Sequence, residues 1–124
     1  MKQAIDHYDA VLGQAYRDLD PSSLPTVATG AQLQVVQQSL QAAIQKHQPE
    51  AGETQATILH IVLSPRPYNF VSIDIQATET DQFLDPKTLQ PIGTPRTSAA
   101  RSSFSFVIQD GVWKVSEHIQ EPTS

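Results

Sequence analysis

A change of hydrophobic period part-way along the chain decides what it can fold into. Up to His47 the apolar residues recur at three- and four-residue steps, which is one face of a helix. Beyond Thr54 they alternate, which is one face of a strand. Ile5, Tyr8, Val11, Leu12, Ala15, Tyr16 and Leu19 make a first helical stripe. It ends at Asp20-Pro21-Ser22-Ser23, where proline cannot continue the hydrogen-bond ladder. After one short turn near residues 24–28, Leu33, Val36, Leu40, Ala43, Ile44 and His47 make a second stripe, with Gln34, Gln38, Gln41 and Gln45 on the opposite face. Helices followed by strands predict an α+β architecture: a helical part over residues 1–47 packed on a curved antiparallel sheet of about four strands over residues 55–120.

The strands can be read in more detail. Residues 55–63 are apolar on both faces, through Ile58, His60 and Val62 and through Leu59, Ile61 and Leu63, and so predict an interior strand ended by Ser64-Pro65-Arg66-Pro67. In residues 69–80, Val71, Ile73, Ile75 and Ala77 face one way and Ser72, Asp74, Gln76 and Thr78 the other, so one face is solvated and the strand is a candidate sheet edge. Residues 81–95 hold Pro86, Pro91, Gly93 and Pro95 and read as a long connection. Two last strands, 99–109 and 112–120, flank Asp110-Gly111, the residue pair of a type I′ hairpin. Counting outward from that turn pairs Ile108 with Trp113, Phe106 with Val115 and Phe104 with Glu117 on one face. On the other face it pairs Val107 with Lys114, Ser105 with Ser116 and Ser103 with His118.

With 124 residues, 39% of them hydrophobic, the chain suits one domain with a single core. The net charge is −5 and the basic residues are scattered, which argues against a nucleic-acid surface. No run approaches the roughly 20 apolar residues of a membrane-spanning helix, and the absence of cysteine excludes disulfides and thiol chemistry. Met1 directly before a helical pattern and the Glu121-Pro122-Thr123-Ser124 end suit a domain excised from a longer protein.

Two helices followed by a long-stranded antiparallel sheet that ends in the hairpin Asp110-Gly111-Val112-Trp113-Lys114-Val115 resemble the nuclear-transport-factor-two-like (cystatin-like) superfamily and its cone-shaped fold. Within it, residues 16–20, 27–30 and 81–85 resemble bacterial membrane-tethered domains related to the IMS domains of cyanobacterial and plastid division proteins. The resemblance implies a non-catalytic accessory domain of a larger bacterial membrane-associated protein, on the extracytoplasmic side.

The superfamily also includes enzymes that work inside the cone, for which this chain offers Tyr16, His60, Asp74 and Glu117. An isomerase-like site needs a carboxylate base and a hydrogen-bond donor converging in an apolar cavity. Asp74 falls on the polar strand face, where a solvated carboxylate is the plainer reading. His60 lies between Leu59 and Ile61 and reads as a core or cavity-lining histidine before it reads as a base. Ser103 opposite His118 has the residue types of a nucleophile and base, without an orienting carboxylate. His7, His47, His60 and His118 fall on four different elements, which argues against a metal site, and no pattern calls for a cofactor.

Tyr16, His60, Phe104, Phe106 and Trp113 are therefore the candidate lining of a pocket, although a closed core would use the same aromatic residues. The favoured function is a binding or interaction domain for a protein partner or a second copy. The alternative is a small-molecule binder or an isomerase- or hydrolase-type enzyme that takes a small apolar ligand into the cone.

Overall fold

The computed structural model describes residues 2–65 and 69–120. Helix α1 (Lys2–Asp18) and helix α2 (Gly30–Gln45) are separated by a short 3-10 turn (Leu24–Thr26). They cover one face of an antiparallel sheet made of β1 (Glu50–Leu63), β2 (Phe70–Phe83), β3 (Arg96–Gln109) and β4 (Val112–Gln120), in the order β1-β2-β3-β4. The α+β expectation holds, with an open four-stranded sheet. The helical stripes point inward: Ile5, Tyr8 and Ala15 of α1 and Val36 and Leu40 of α2 are buried against Val71, Ile73, Ile75, Phe104, Phe106 and Val115 of the sheet. Residues 27–29 tie the helices to β4: Val115 donates its backbone N–H to Val27 O at 2.8 Å and accepts that of Thr29 at 2.9 Å.

Four local expectations need correcting. The sheet begins at Glu50 rather than near residue 55, because residues 50–54 pair with residues 79–83 of β2 despite Pro49 and Gly52. Gly52 suits that position: a Cβ there would lie 2.8 Å from Oδ1 of Asp81. Next, β1 is the edge of the sheet and not its interior, and the strand that begins near Asn69 lies between β1 and β3. The apolar residues Leu59, Ile61, Val62 and Leu63 are accordingly exposed on β1. The connection is also shorter, since β2 runs to Phe83 and β3 begins at Arg96.

The fourth correction is the hairpin register. Asp110 and Gly111 both have positive φ, 55° and 78°, as a type I′ turn requires, and the first three pairs form as expected. A bulge at Ser116 then shifts the register, so Phe104 faces His118, Ser105 faces Glu117 and Ser103 faces Ile119. One inserted residue moves His118 to the helix side of the sheet and Glu117 to the outer side. A second bulge, at Leu59, sets His60 opposite Asp74 on the outer face. The Arg66-Pro67 strand stop and the 121–124 end lie outside the described residues.

Candidate functional site

Helix α1 lies over β1 and α2 over β4, and they meet at few points, which leaves a gap between them above one part of the sheet. Register determines what is exposed there. Residues directly opposite one another on neighbouring strands share a face, so the helix-facing side of the sheet can be read in cross-strand rows. Ile58, Ile75, Ser102 and Gln120 form one row, and Ala56, Ala77 and Ala100 the next. Thr54, Glu79 and Ser98 follow, and then Gly52, Asp81 and Arg96. Three alanines in line cannot fill the space beneath the helices. The result is a cavity of about 450 Å³ between α1, α2 and the sheet.

The cavity is apolar at one end and acidic at the other. At the apolar end Phe104, 2% exposed, carries the packing. Tyr8 meets it edge-on with ring centres 5.6 Å apart, and the His118 ring lies flat on it at 4.0 Å and 4°. Desolvation in this packing lowers the His118 pKa and favours its neutral form. Two hydrogen bonds link the helices above: Gln32 Nε2 donates to Tyr8 Oη at 2.8 Å, and Tyr16 Oη donates to Ser39 Oγ. Burial pushes the Tyr8 phenol up to about 12, opposed by the Gln32 bond, so it stays protonated with its own O–H available to donate.

At the acidic end Asp9 of α1, Glu50 of β1 and Glu79 and Asp81 of β2 line the wall. Burial, with repulsion from Asp6, pushes the Asp9 carboxyl up to about 6, and Lys2 offsets this only in part. Burial first, then the charge of Asp81 and a hydrogen bond to it, pushes Glu79 up to about 7. Glu50 is raised by burial as well, against the pull of Arg96, which bonds to it and stacks 4.1 Å over the Phe83 ring. Among the described residues no group of histidine and acidic side chains has the geometry to hold a metal ion.

Of the pocket residues expected from sequence, Tyr16 and Phe104 line the cavity. Phe106 is buried behind Phe104 in the core and Trp113 packs at its margin, neither on the cavity wall. His60 is exposed on the outer face of β1, away from the cavity. Asp74 accepts a hydrogen bond from Ser103 Oγ on that outer face, so serine, carboxylate and histidine lie in a row with the carboxylate in the middle. In a hydrolytic triad the histidine must lie between the other two. Sequence reading missed Asp9, Glu79, Asp81 and Ser102. Glu79 and Asp81 were within reach, because the alternation Val71, Ile73, Ile75, Ala77 continues onto them two and four residues later.

No protein-family model matches the chain, and no curated protein matches it either. Solved structures do. The intermembrane-space region of the chloroplast protein ARC6 superposes with a TM-score of 0.82 at 12% identity, covering 98% of this chain and 94% of that one. An NTF-2 like protein of unknown function from Shewanella oneidensis gives a TM-score of 0.56 at 11% identity, covering 96% and 97%. The β subunit of a candidate aromatic-ring-hydroxylating dioxygenase from Novosphingobium aromaticivorans gives 0.57 at 13% identity, covering 98% and 90%. The fold is nuclear-transport-factor-two-like. At these identities the likeness speaks for the fold and not for an activity.

Proposed function

We propose that residues 1–124 form one non-catalytic binding domain, an accessory part of a larger bacterial membrane-associated protein, and that the cavity between the helices and the sheet is its recognition site. The observation that carries this reading is the cavity itself: about 450 Å³ left open beside Tyr8, Tyr16 and Phe104, where a filled core would be expected. Its size lies in the range of sites for small molecules or for one or two inserted side chains. The likeness to an intermembrane-space region supports an accessory role and an extracytoplasmic position. No described helix is long and apolar enough to cross a membrane.

The apolar edge of β1 at Leu59, Ile61, Val62 and Leu63 is a second surface, suited to a protein partner or a second copy through strand pairing. Sedimentation of the chain at micromolar concentration tests self-association there.

An enzymatic reading competes on one observation: Asp9 and Glu79 hold carboxyls near neutrality in the same cavity as the Tyr8 hydroxyl. The non-catalytic reading is favoured because Tyr8 packs edge-on to Phe104 and accepts from Gln32, and no hydrogen bond joins it to Asp9 or Glu79 among the described residues. The test is a fragment panel screened by NMR against the wild type and Ala100→Trp, which fills the alanine row. Fragments that bind the wild type unchanged and fail to bind Ala100→Trp support the proposal. Chemical conversion of a fragment favours the enzyme, and equal binding by both proteins moves recognition off the cavity.

A further inference from the structure

We infer that the occupant of this cavity is a cationic amphiphile, a protonated amine held by Asp9, Glu79 and Asp81 with its apolar body along Ile75 and Phe104. The inference rests on the binding-site reading above and adds the chemical class of the guest.

Three observations carry it. The register sorts the cavity floor by polarity, from Phe104 and Ile75 through the alanine row to Glu79 and Asp81, so a guest lying along it meets hydrocarbon at one end and carboxylates at the other. The carboxylates also lack a paired counter-charge, for Lys2 offsets Asp9 only in part. The cations at this end are already engaged, Arg96 by Glu50 and Lys2 by Asp6, and no ion pair to Asp9, Glu79 or Asp81 forms among the described residues. The third observation is independent of charge. Ser102 lines the cavity midway, is only 5% exposed, and has no side-chain hydrogen-bond partner among the described residues. Its hydroxyl, not among the sealed and unpartnered buried atoms, opens onto the cavity, where a guest can bond it.

The charged and titratable groups lining this space are Tyr8, Asp9 and Tyr16 from α1, Glu50 from β1, Glu79 and Asp81 from β2 and His118 from β4, with Lys2, Asp6 and Arg96 outside its wall; α2 contributes none. Acids outnumber bases, so a cation offsets the burial, and after it the repulsion, that hold Asp9 and Glu79 toward their neutral forms. A bound ammonium displaces protons from them, and its affinity rises with pH between about 5 and 8.

The experiment titrates the whole 15N-labelled chain at low salt with three probes of one shape: phenethylamine, 2-phenylethanol and 3-phenylpropanoate. Phenethylamine is expected to bind about tenfold tighter than the alcohol, with the carboxylate weakest. The triple variant Asp9→Asn, Glu79→Gln and Asp81→Asn loses that preference while its affinity for 2-phenylethanol is unchanged, which also shows that its cavity is intact. If the alcohol binds as tightly as the amine, or the triple variant keeps the preference, the cationic guest is refuted and the cavity reading stands. If none of the probes moves the amides around Ser102 and Phe104, both readings fall.

Discussion

Replacing Asp9 by asparagine should make the protein more stable at pH 8 and not at pH 3.5. Asp9 sits on α1 facing the acidic end of the cavity, where burial and Asp6 raise its pKa from 3.8 to about 6. A folded-state pKa above the unfolded one means that the folded chain binds this proton more tightly. Its stabilising effect is complete below about pH 4 and is lost as pH rises through about 6. A displacement of that size corresponds to about 3 kcal/mol if undiminished. Water reaching the open end of the cavity screens the charge, which leaves about 1–2 kcal/mol as the cost of the ionised carboxylate. The carboxamide keeps the shape and carries no charge, so Asp9→Asn recovers that amount at pH 8. For a chain of 124 residues this is a rise in midpoint of roughly 4–8 °C. Thermal unfolding of both proteins at pH 8, 6 and 3.5 reads it directly: the difference should shrink stepwise and vanish at the lowest pH. A variant less stable than the wild type at pH 8, or a gain independent of pH, would overturn this, because Asp9 would then be a paired and stabilising carboxylate.

Further outcomes can be checked on the same footing. Phe104→Ala removes the ring that Tyr8, Phe106 and His118 all touch and should cost about 3–5 kcal/mol in denaturant unfolding; a cost under about 1 kcal/mol would deny its central place in the packing. Deleting Ser116 removes the bulge yet leaves Glu117 opposite Ser105 and His118 opposite Phe104, so cooperative unfolding by circular dichroism should persist; its loss would mean that the bulge itself is needed to shape β4. His118 should titrate below its ordinary 6.5 in an NMR pH series, and because the folded chain disfavours its proton, its contribution to stability falls as pH drops through 6.5; a raised value would contradict its packing on Phe104. His60→Ala should change stability by less than about 0.5 kcal/mol and leave probe binding unaltered, as its exposed position requires; weakened binding would place it at the site after all.

The elements were legible because helix and strand leave different periods in the sequence, and the Asp110-Gly111 turn is chemically specific enough to set the first hairpin pairs. The bulges at Leu59 and Ser116 were not legible. A bulge is one extra residue tolerated by the ladder, and neither the run from Ile58 to Leu63, apolar but for His60, nor Ser116 itself announces it. The misplacement of His60 and His118 follows from those two residues, since each slip exchanges the faces of everything beyond it. The exposure of β1 escaped reading for another reason: an apolar strand at an uncovered edge has the same composition as one in the middle of a sheet. The cavity was half legible. Ala77 and the two carboxylates after it lie on one strand face in plain alternation, but the alignment of Ala56 and Ala100 beside it depends on register across three strands.

Whether the space beneath the helices receives a guest can be seen in a crystal structure of the chain grown with phenethylamine. The aromatic ring is expected beside Phe104 and Ile75, with the ammonium within hydrogen-bond distance of Asp9 or Glu79. A cavity closed by collapse of α1 onto the alanine row, or a probe bound only along the outer edge of β1, would contradict the binding-site reading.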